Sequence, residues 1–432
     1  MSTSLPVSAP SRRPPSATNN IINTIGLAMF FLTLWYCNQQ RLHGVDAALL
    51  VTLAYAIPVL LLEVIFLRTP WRDSVGLDFN KLTPDAERIF IKLVGLYGSF
   101  GFVALLYWLF PEYHGSYYDP CRAVLELIWS SAFIYVVLLS AMYVFFMDSR
   151  MREPLDSYYW FGCCLLGRFR GVRFRLIVQH LLGWLVKGFF LPLMWVSFVG
   201  NINGLTFAPL NQFPNFDAFF EFAVSVLFTV DLLAAVAGYT LAIRLFDTHL
   251  RSTEPTLFGW IICLICYQPF QSVVMRFYLA YSSTSWTSWL ADYPNIRIVW
   301  GSIMLLFLFV YTCASINFGC RFSNLTNRGI LTKGMYRFTK HPAYVGKNIF
   351  WWMLYVPFIP ANGEWEALRF CILLLGVNAV YFFRARTEER HLSRDPRYVE
   401  YGLWMNDHSI FRGLARHLPW LRYRPPQTAE PL

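Results

Sequence analysis

Charged residues are scarce in this sequence. They make up 14% of its 432 residues, whereas hydrophobic residues make up 56%. Soluble domains carry about 25% charged residues, so the composition excludes an ordinary soluble protein and indicates a chain that lies in a bilayer. No Lys/Arg run with interleaved aromatic residues stands apart from the apolar segments. The net charge of +10 therefore does not indicate a nucleic-acid partner, and loop charges of a membrane protein explain it better.

The sequence also lacks a metal-binding cysteine pattern and a cleavable signal peptide. The nine cysteines are scattered, and Cys263 and Cys266 lie in an apolar run without a second pair, so we expect buried packing and no metal site. The N-terminus has no short apolar run followed by a small-residue cleavage site, so we expect no removed signal peptide. Residues 1–20 are instead rich in Ser and Pro and predict a disordered arm.

Long apolar segments are abundant. If each span needs about 20 apolar residues, about ten spans result. Their centres lie near Phe30, Pro58, Gly98, Tyr135, Phe190, Leu227, Ile265, Phe307, Met353 and Leu374. The seventh and ninth are the least regular, because Pro269 interrupts one and Pro357 ends the other. We therefore predict an all-α, polytopic membrane helical bundle, with an N-terminal transmembrane bundle over 21–295 and a C-terminal membrane domain over 296–432.

The charges of the loops predict an orientation. Loops at 150–175 and 321–340 are rich in Arg and Lys, whereas residues 201–216 contain neither. Because basic loops stay on the cytoplasmic side, we expect both termini in the cytoplasm. The membrane would be the inner membrane of a prokaryote or the endoplasmic reticulum of a eukaryote.

Two polar stretches stand out in the C-terminal third. The first is Lys-His-Pro-Ala-Tyr-Val-Gly at 340–346, and the second is Phe-Phe-Arg-Ala-Arg-Thr-Glu-Glu at 382–389. Charges beside apolar spans indicate a functional site. Pro342 restricts His341 to an extended conformation and can open a helix, whose free N–H groups accept carboxylates or phosphates. Gly346 would let a ligand or a neighbouring backbone come close.

The second stretch predicts paired charges on one helix. Arg384 and Glu388 share one face, and Arg386 and Glu389 share another. Glu388 and Glu389 are sequence neighbours and cannot both aim at one atom, so one would hold a ligand while the other orients an arginine. A membrane hairpin separates the two stretches, and we expect it to bring them together at one membrane face as a single pocket.

Together the stretches resemble the isoprenylcysteine carboxyl methyltransferase and phospholipid methyltransferase superfamily. Its signature is an Arg-His-Pro-x-Tyr-x-Gly block, a hairpin, Glu-Glu, and then Tyr-x-x-Tyr, which here ends at Tyr398 and Tyr401. The resemblance covers residues 312–404, and Lys340 replaces the usual arginine. It implies a C-terminal methyltransferase core with cytoplasmic interfacial helices, S-adenosylmethionine bound at the cytoplasmic surface, and a lipid-like acceptor that enters from the bilayer.

The family's residue roles carry over position by position. Cofactor binding would fall to Lys340, His341, Pro342, Tyr344, Gly346, Glu388 and Glu389. Arg386 would be the catalytic arginine that positions the acceptor, and substrate contacts would fall to Arg384, Tyr398 and Tyr401. The resemblance thus predicts a membrane methyltransferase that acts on an amphiphilic lipid or lipidated acceptor through a carboxylate, phosphate or amine.

Two alternatives compete with this prediction. An NADPH-dependent membrane sterol or enone reductase has a related His-x-Asn-Tyr-x-Gly block, but this chain has Ala343 in place of the Asn and Lys347 where an Asp usually follows. A transporter or non-enzymatic scaffold would use isolated intramembrane charges such as Glu63, Glu221 and Asp231. Transport is favoured if these three carboxylates line one water-filled cavity. We expect instead that such charged residues pair with one another or with polar groups inside the protein.

Overall fold

Helices dominate the fold. The computed structural model describes residues 12–207, 213–274, 284–359 and 361–426, and 74% of it is helical. The strands of this described part are β1, Ser252–Thr253, and β2, Thr326–Asn327, which pair antiparallel. The predicted all-α class is confirmed.

The helices follow one another with few long connections. The first eight are α1 Asn20–Gln40, α2 Gly44–Leu67, α3 Ala86–Leu109, α4 Asp119–Leu127, α5 Phe133–Asp148, α6 Ser157–Leu165, α7 Phe174–Phe207 and α8 Phe216–Thr240. The others are α9 Leu257–Leu264, α10 Trp286–Trp289, α11 Pro294–Ile316, α12 Pro342–Tyr355, α13 Glu364–Leu392, α14 Pro396–His408 and α15 Arg412–His417. A π-helical segment, Ile128–Ala132, joins α4 to α5.

Eight stretches of the described chain are long and apolar enough to cross a membrane: α1, α2, α3, α4 with α5, α7, α8, α11 and α13. The protein is therefore a multi-pass integral membrane protein. Of the other two predicted spans, the ninth is the short helix α12, and the described part of the seventh contains the short helix α9, with residues 275–283 outside the described chain. At 1.5 Å per residue, the 14 residues of α12 reach about 21 Å, less than the roughly 30 Å of a hydrocarbon core.

One apolar core joins the two predicted domains. Phe30, Phe190 and Leu233 from the N-terminal bundle are fully buried together with Cys320, which follows α11. Gly238 on α8 permits the contact, because a Cβ there would lie 2.2 Å from the carbonyl oxygen of Phe322. The residues on either side of position 295 thus pack as one body around a shared core.

The intramembrane carboxylates are paired or face outward. Arg321 holds Glu63 at 2.8 Å with both side chains buried, Tyr311 donates to Asp231 at 2.6 Å, and Glu221 is exposed on α8. None of the three carboxylates lines the cavity described below. Glu63 and Asp231 are thus paired as expected, Glu221 is exposed instead, and the shared cavity that would have favoured transport is not found among the described residues.

The N-terminal arm is ordered from residue 12 onward, in contrast to the predicted disorder. Ala17 donates its N–H to the carbonyl of Ile330 at 2.9 Å. The hydroxyl of Thr332 donates to the carbonyl of Pro14 at 2.7 Å, and that of Thr18 donates to Asn317 at 2.7 Å. The prediction fails for residues 12–19 because the loop after α11 satisfies their polar groups. Residues 1–11 lie outside the described chain.

The strand pair pins this loop to the N-terminal region. Arg251 donates its N–H to Asn327 at 2.9 Å, and Glu254 donates its N–H to Leu325 at 2.7 Å. These bonds bring Glu254 close to the N-terminus of α12 and the C-terminus of α13. The candidate site lies between these two helix ends.

Candidate active site

Helix α12 begins at the predicted point. His341 precedes it with φ −130° and ψ 60°, and Pro342 takes the first helical position. Proline suits this position because its missing N–H has no helical partner there. The N–H groups of the first turn lack intrahelical acceptors, so the helix presents a weakly positive end beside the imidazole of His341.

The long helix α13 returns the second polar stretch to this helix start. Nε2 of His341 lies 3.2 Å from Oε1 of Glu389, and Nδ1 lies 3.8 Å from Oε2 of Glu388. The two stretches therefore meet at one end of the α12–α13 hairpin. The two stretches therefore do not lie on opposite sides of the bilayer.

The two acidic residues have different surroundings. The side chain of Glu389 is 7% exposed and pairs with Lys340, with His341, and with Arg386 at 2.7 Å. Glu388 is 29% exposed and lines the cavity, where it accepts a bond from the hydroxyl of Tyr344. Glu389 thus holds the basic residues in place, whereas Glu388 keeps a carboxylate surface open to a ligand.

The two arginines differ in the same way. Arg384 is buried and donates to Oδ1 of Asn324 at 2.5 Å and to the hydroxyl of Tyr267 at 3.3 Å. Its side chain lines the cavity. Arg386, the predicted catalytic arginine, is 43% exposed and is turned toward Glu389. Of the two arginines, Arg384 is therefore the one that lines the cavity.

The two tyrosines of α14 wall the cavity as predicted. Their ring centroids are 5.9 Å apart, and the hydroxyl of Tyr401 donates to the carbonyl of Tyr336 at 2.6 Å. The hydroxyl of Tyr398 has no hydrogen-bond partner. Burial raises the pKa of both Tyr398 and Tyr401 well above the ordinary tyrosine value, so both hydroxyls stay neutral at physiological pH.

Pro342 and Gly346 shape the site without lining the cavity. A Cβ at Gly346 would lie 2.7 Å from the carbonyl oxygen of Phe307, so this glycine lets α12 pack closely on α11. Pro342 is buried at the helix start. Of the two close partners expected for Gly346, the structure shows the neighbouring backbone.

A cavity runs along α13 between these elements. Its lining includes Glu254, Tyr267, Asn324, Lys340, His341, Tyr344, Lys347, Arg384, Glu388, His391, Tyr398 and Tyr401. Sequence reasoning did not include Lys347 and His391 in the site, although each lies one helical turn after a predicted site residue. Glu254 and Tyr267 carry no local signal, because only the tertiary fold brings them to the cavity.

The comparisons with known proteins agree with this geometry. Residues 295–394 match the family model described as the isoprenylcysteine carboxyl methyltransferase family. No curated protein and no solved structure matches the chain. The matched segment runs from the start of α11 past the end of α13 and includes both polar stretches. The C-terminal part of this chain is an isoprenylcysteine carboxyl methyltransferase family domain.

Proposed function

We propose that the protein transfers a methyl group from S-adenosylmethionine to an amphiphilic lipid or lipidated acceptor at the cytoplasmic face of its membrane. The observation that carries this proposal is the meeting of His341, Tyr344, Arg384 and Glu388 around one cavity within the segment that matches the methyltransferase family. The family match favours methyl transfer over the NADPH-dependent reduction considered above.

The residues of the cavity fit the proposed cofactor. S-adenosylmethionine carries an ammonium, hydroxyls and an amino group that donate hydrogen bonds, and a carboxylate that accepts them. The cavity offers the carboxylate of Glu388 to these donors. It also offers the cations of Arg384 and Lys347, and aromatic rings for a purine to pack against.

The chain's own residues would hold and align the two reactants. The bound cofactor supplies an electrophilic methyl group, and the protein's task is alignment and exclusion of water. Glu388, His341 and Tyr344 would hold the cofactor directly. Lys340 and Glu389 would fix the imidazole through their ion pair, and Pro342 and Gly346 would set the position of α12. Arg386 would support Glu389 from outside the cavity.

The acceptor would reach the cavity from the bilayer. Tyr311 on α11 and Tyr381 on α13 line the cavity, and both helices are long and apolar enough to span a membrane. Arg384 also lines the cavity and lies 3.4 Å from Glu388, so its guanidinium is placed to orient the polar group of an acceptor. We assign that orienting role to Arg384, with Tyr398 and Tyr401 as further lining residues.

The loop charges and the fold together support a cytoplasmic location of the site. The described N-terminal residues bond to the loop after α11, and Tyr423 near the other end bonds to Ser393 at 2.7 Å. Both ends therefore lie on the same side as the site. That side carries the basic loops that stay in the cytoplasm.

Calorimetric titration of the purified full-length protein with S-adenosylmethionine and with NADPH tests the proposal. We expect binding of S-adenosylmethionine alone. The variant Glu388→Gln should weaken it about 10- to 100-fold, since a bond to a charged group contributes about 1.5–3 kcal/mol. Glu400→Gln, an exposed carboxylate on α14, is the matched control and should bind like the unmodified protein. Binding of NADPH but not S-adenosylmethionine would refute the proposal.

A further inference from the structure

The lining of the cavity carries buried polar atoms without partners. Oε2 of Glu254, Nδ1 of His391 and the hydroxyl of Tyr398 have no hydrogen-bond partner. These residues are only 1%, 4% and 4% exposed, and all three line the cavity. Buried polar groups are almost always satisfied. Two of these atoms, on Glu254 and His391, lie 3.9 Å apart and therefore indicate a ligand group that completes their bonds.

The carboxylate of Glu254 is held so that one oxygen stays available. Its Oε1 accepts bonds from the N–H of Thr256 at 2.9 Å and from the hydroxyl of Thr256 at 2.5 Å. Arg390 approaches the same oxygen at 3.5 Å. These donors all bind Oε1, which leaves Oε2 as an acceptor at the cavity.

The imidazole of His391 is held in a similar way. Its Nε2 lies 3.2 Å from the hydroxyl oxygen of Ser252 on β1. A proton on Nε2 can be donated to that oxygen, and Nδ1 then carries the lone pair. Nδ1 lies 3.9 Å from Oε2 of Glu254. Two acceptor atoms thus stand side by side and face one space.

We propose that Glu254 and His391 form a proton-accepting subsite, and that the methyl acceptor is a hydroxyl or an amine. The inference rests on the proposed methyltransferase function and specifies its substrate class. An O–H or N–H group can donate to these two acceptors, whereas a carboxylate is already ionised and would be repelled by Glu254. The subsite also gives the N-terminal part of the chain a chemical role, because Glu254 lies outside the matched residues 295–394.

The reaction balances with His391 as the base. The acceptor's heteroatom forms a bond to the methyl carbon, and the carbon–sulfur bond of the sulfonium donor breaks with its electron pair left on sulfur. The acceptor's proton passes to Nδ1 of His391, and the electron pair of its former bond stays on the heteroatom. The positive charge thereby moves from the sulfonium to the imidazolium, beside the carboxylate of Glu254.

To test this proposal, membranes that contain the full-length protein are incubated with S-adenosylmethionine labelled in its methyl group. The labelled lipids are then extracted and treated with mild alkali. Methyl esters of carboxylates release labelled methanol, whereas methyl ethers, N-methyl groups and methyl phosphodiesters keep the label, and the last are recognised by their phosphorus content. We expect the label to be alkali-stable. His391→Gln should lower incorporation about 100-fold or more, the usual range for loss of a general base, and Glu254→Gln at least about 10-fold.

Calorimetry of the same variants separates this inference from the proposed function. We expect both variants to bind S-adenosylmethionine with an affinity close to that of the unmodified protein. Arg397→Gln, at an exposed position on α14, should leave labelling and binding unchanged.

Three results would overturn the subsite: release of labelled methanol, full incorporation by His391→Gln, or no incorporation by protein that binds the cofactor. Loss of cofactor affinity in both variants would assign the cluster to the cofactor and also overturn it. Failure of the unmodified protein to bind S-adenosylmethionine would instead refute the proposed function.

Discussion

Glu63 on α2 and Arg321 after α11 form a buried ion pair across 258 sequence positions, with Nη1 of the arginine 2.8 Å from both carboxylate oxygens. Their side chains are 0% and 1% exposed. The same guanidinium donates to the carbonyl of Asp247 at 3.2 Å. The pair ties the N-terminal bundle to the loop that forms one wall of the site, so the two predicted domains depend on each other for their fold.

Removing one partner of this pair should destabilise the whole protein. Glu63→Gln leaves the charge of Arg321 buried and unpaired, and the free energy of unfolding should fall by about 3–5 kcal/mol. Thermal unfolding in detergent measures the change. Glu221→Gln replaces an exposed carboxylate on α8 and should unfold like the unmodified protein. Equal unfolding temperatures for the Glu63 and Glu221 variants would contradict the structural role of the pair.

The two arginines of α13 should differ in their effect on turnover. Arg384→Gln removes the guanidinium that lines the cavity and should lower methyl transfer about 100-fold or more, the effect of losing a positioned charge at a reacting group. Arg386→Gln removes a partly exposed partner of Glu389 and should cost less than about 10-fold. Labelled methyl incorporation in membranes measures both variants. A larger loss from Arg386→Gln would restore the assignment that the sequence resemblance implies.

Gly346 should tolerate no side chain. In Gly346→Ala the added Cβ meets the carbonyl oxygen of Phe307 at 2.7 Å, so α12 must move away from α11. We expect a loss of about 1–3 kcal/mol in stability, as for other overpacked sites. Gly413→Ala is the matched control, because a Cβ at this position on α15 meets no atom within 4 Å. Thermal unfolding that is unchanged in Gly346→Ala would show that the helices do not pack this closely.

Acid should weaken the fold through Asp247. Burial alone would raise the pKa of Asp247, but the guanidinium groups of Arg251 and Arg321 outweigh burial and lower the pKa below the usual aspartate value. A carboxyl group with a lowered pKa stabilises the folded state above its unfolded pKa of about 3.9. That stability is lost as the pH falls through the lower folded-state pKa.

Thermal unfolding from about pH 6 to about pH 3 checks this linkage. The stability advantage of the unmodified protein over Asp247→Asn should be constant down to about pH 4 and shrink below it. An advantage that persists unchanged at the acidic end would show that the ion pairs of Asp247 contribute nothing to stability.

Several features of the site could be predicted because they depend on local sequence. Pro342 sets a helix start after His341, and Glu388 and Glu389 point in different directions because they are neighbours on one helix. Other features depend on distant segments. Glu254 reaches the cavity through the β1–β2 pair, and the arm at residues 12–19 is ordered by bonds to residues 317–332. No local pattern encodes those contacts.

Composition and periodicity alone determined that this chain is an all-α membrane protein, because burying about 20 residues in hydrocarbon requires apolar helices whatever their neighbours. They also determined that one polar stretch lies at a helix start and the other on a helix. Only the tertiary structure decided which charges face a ligand. That choice depends on how the helices pack: Glu389 pairs with Lys340, His341 and Arg386, whereas Glu388 and Arg384, 3.4 Å apart, both line the cavity.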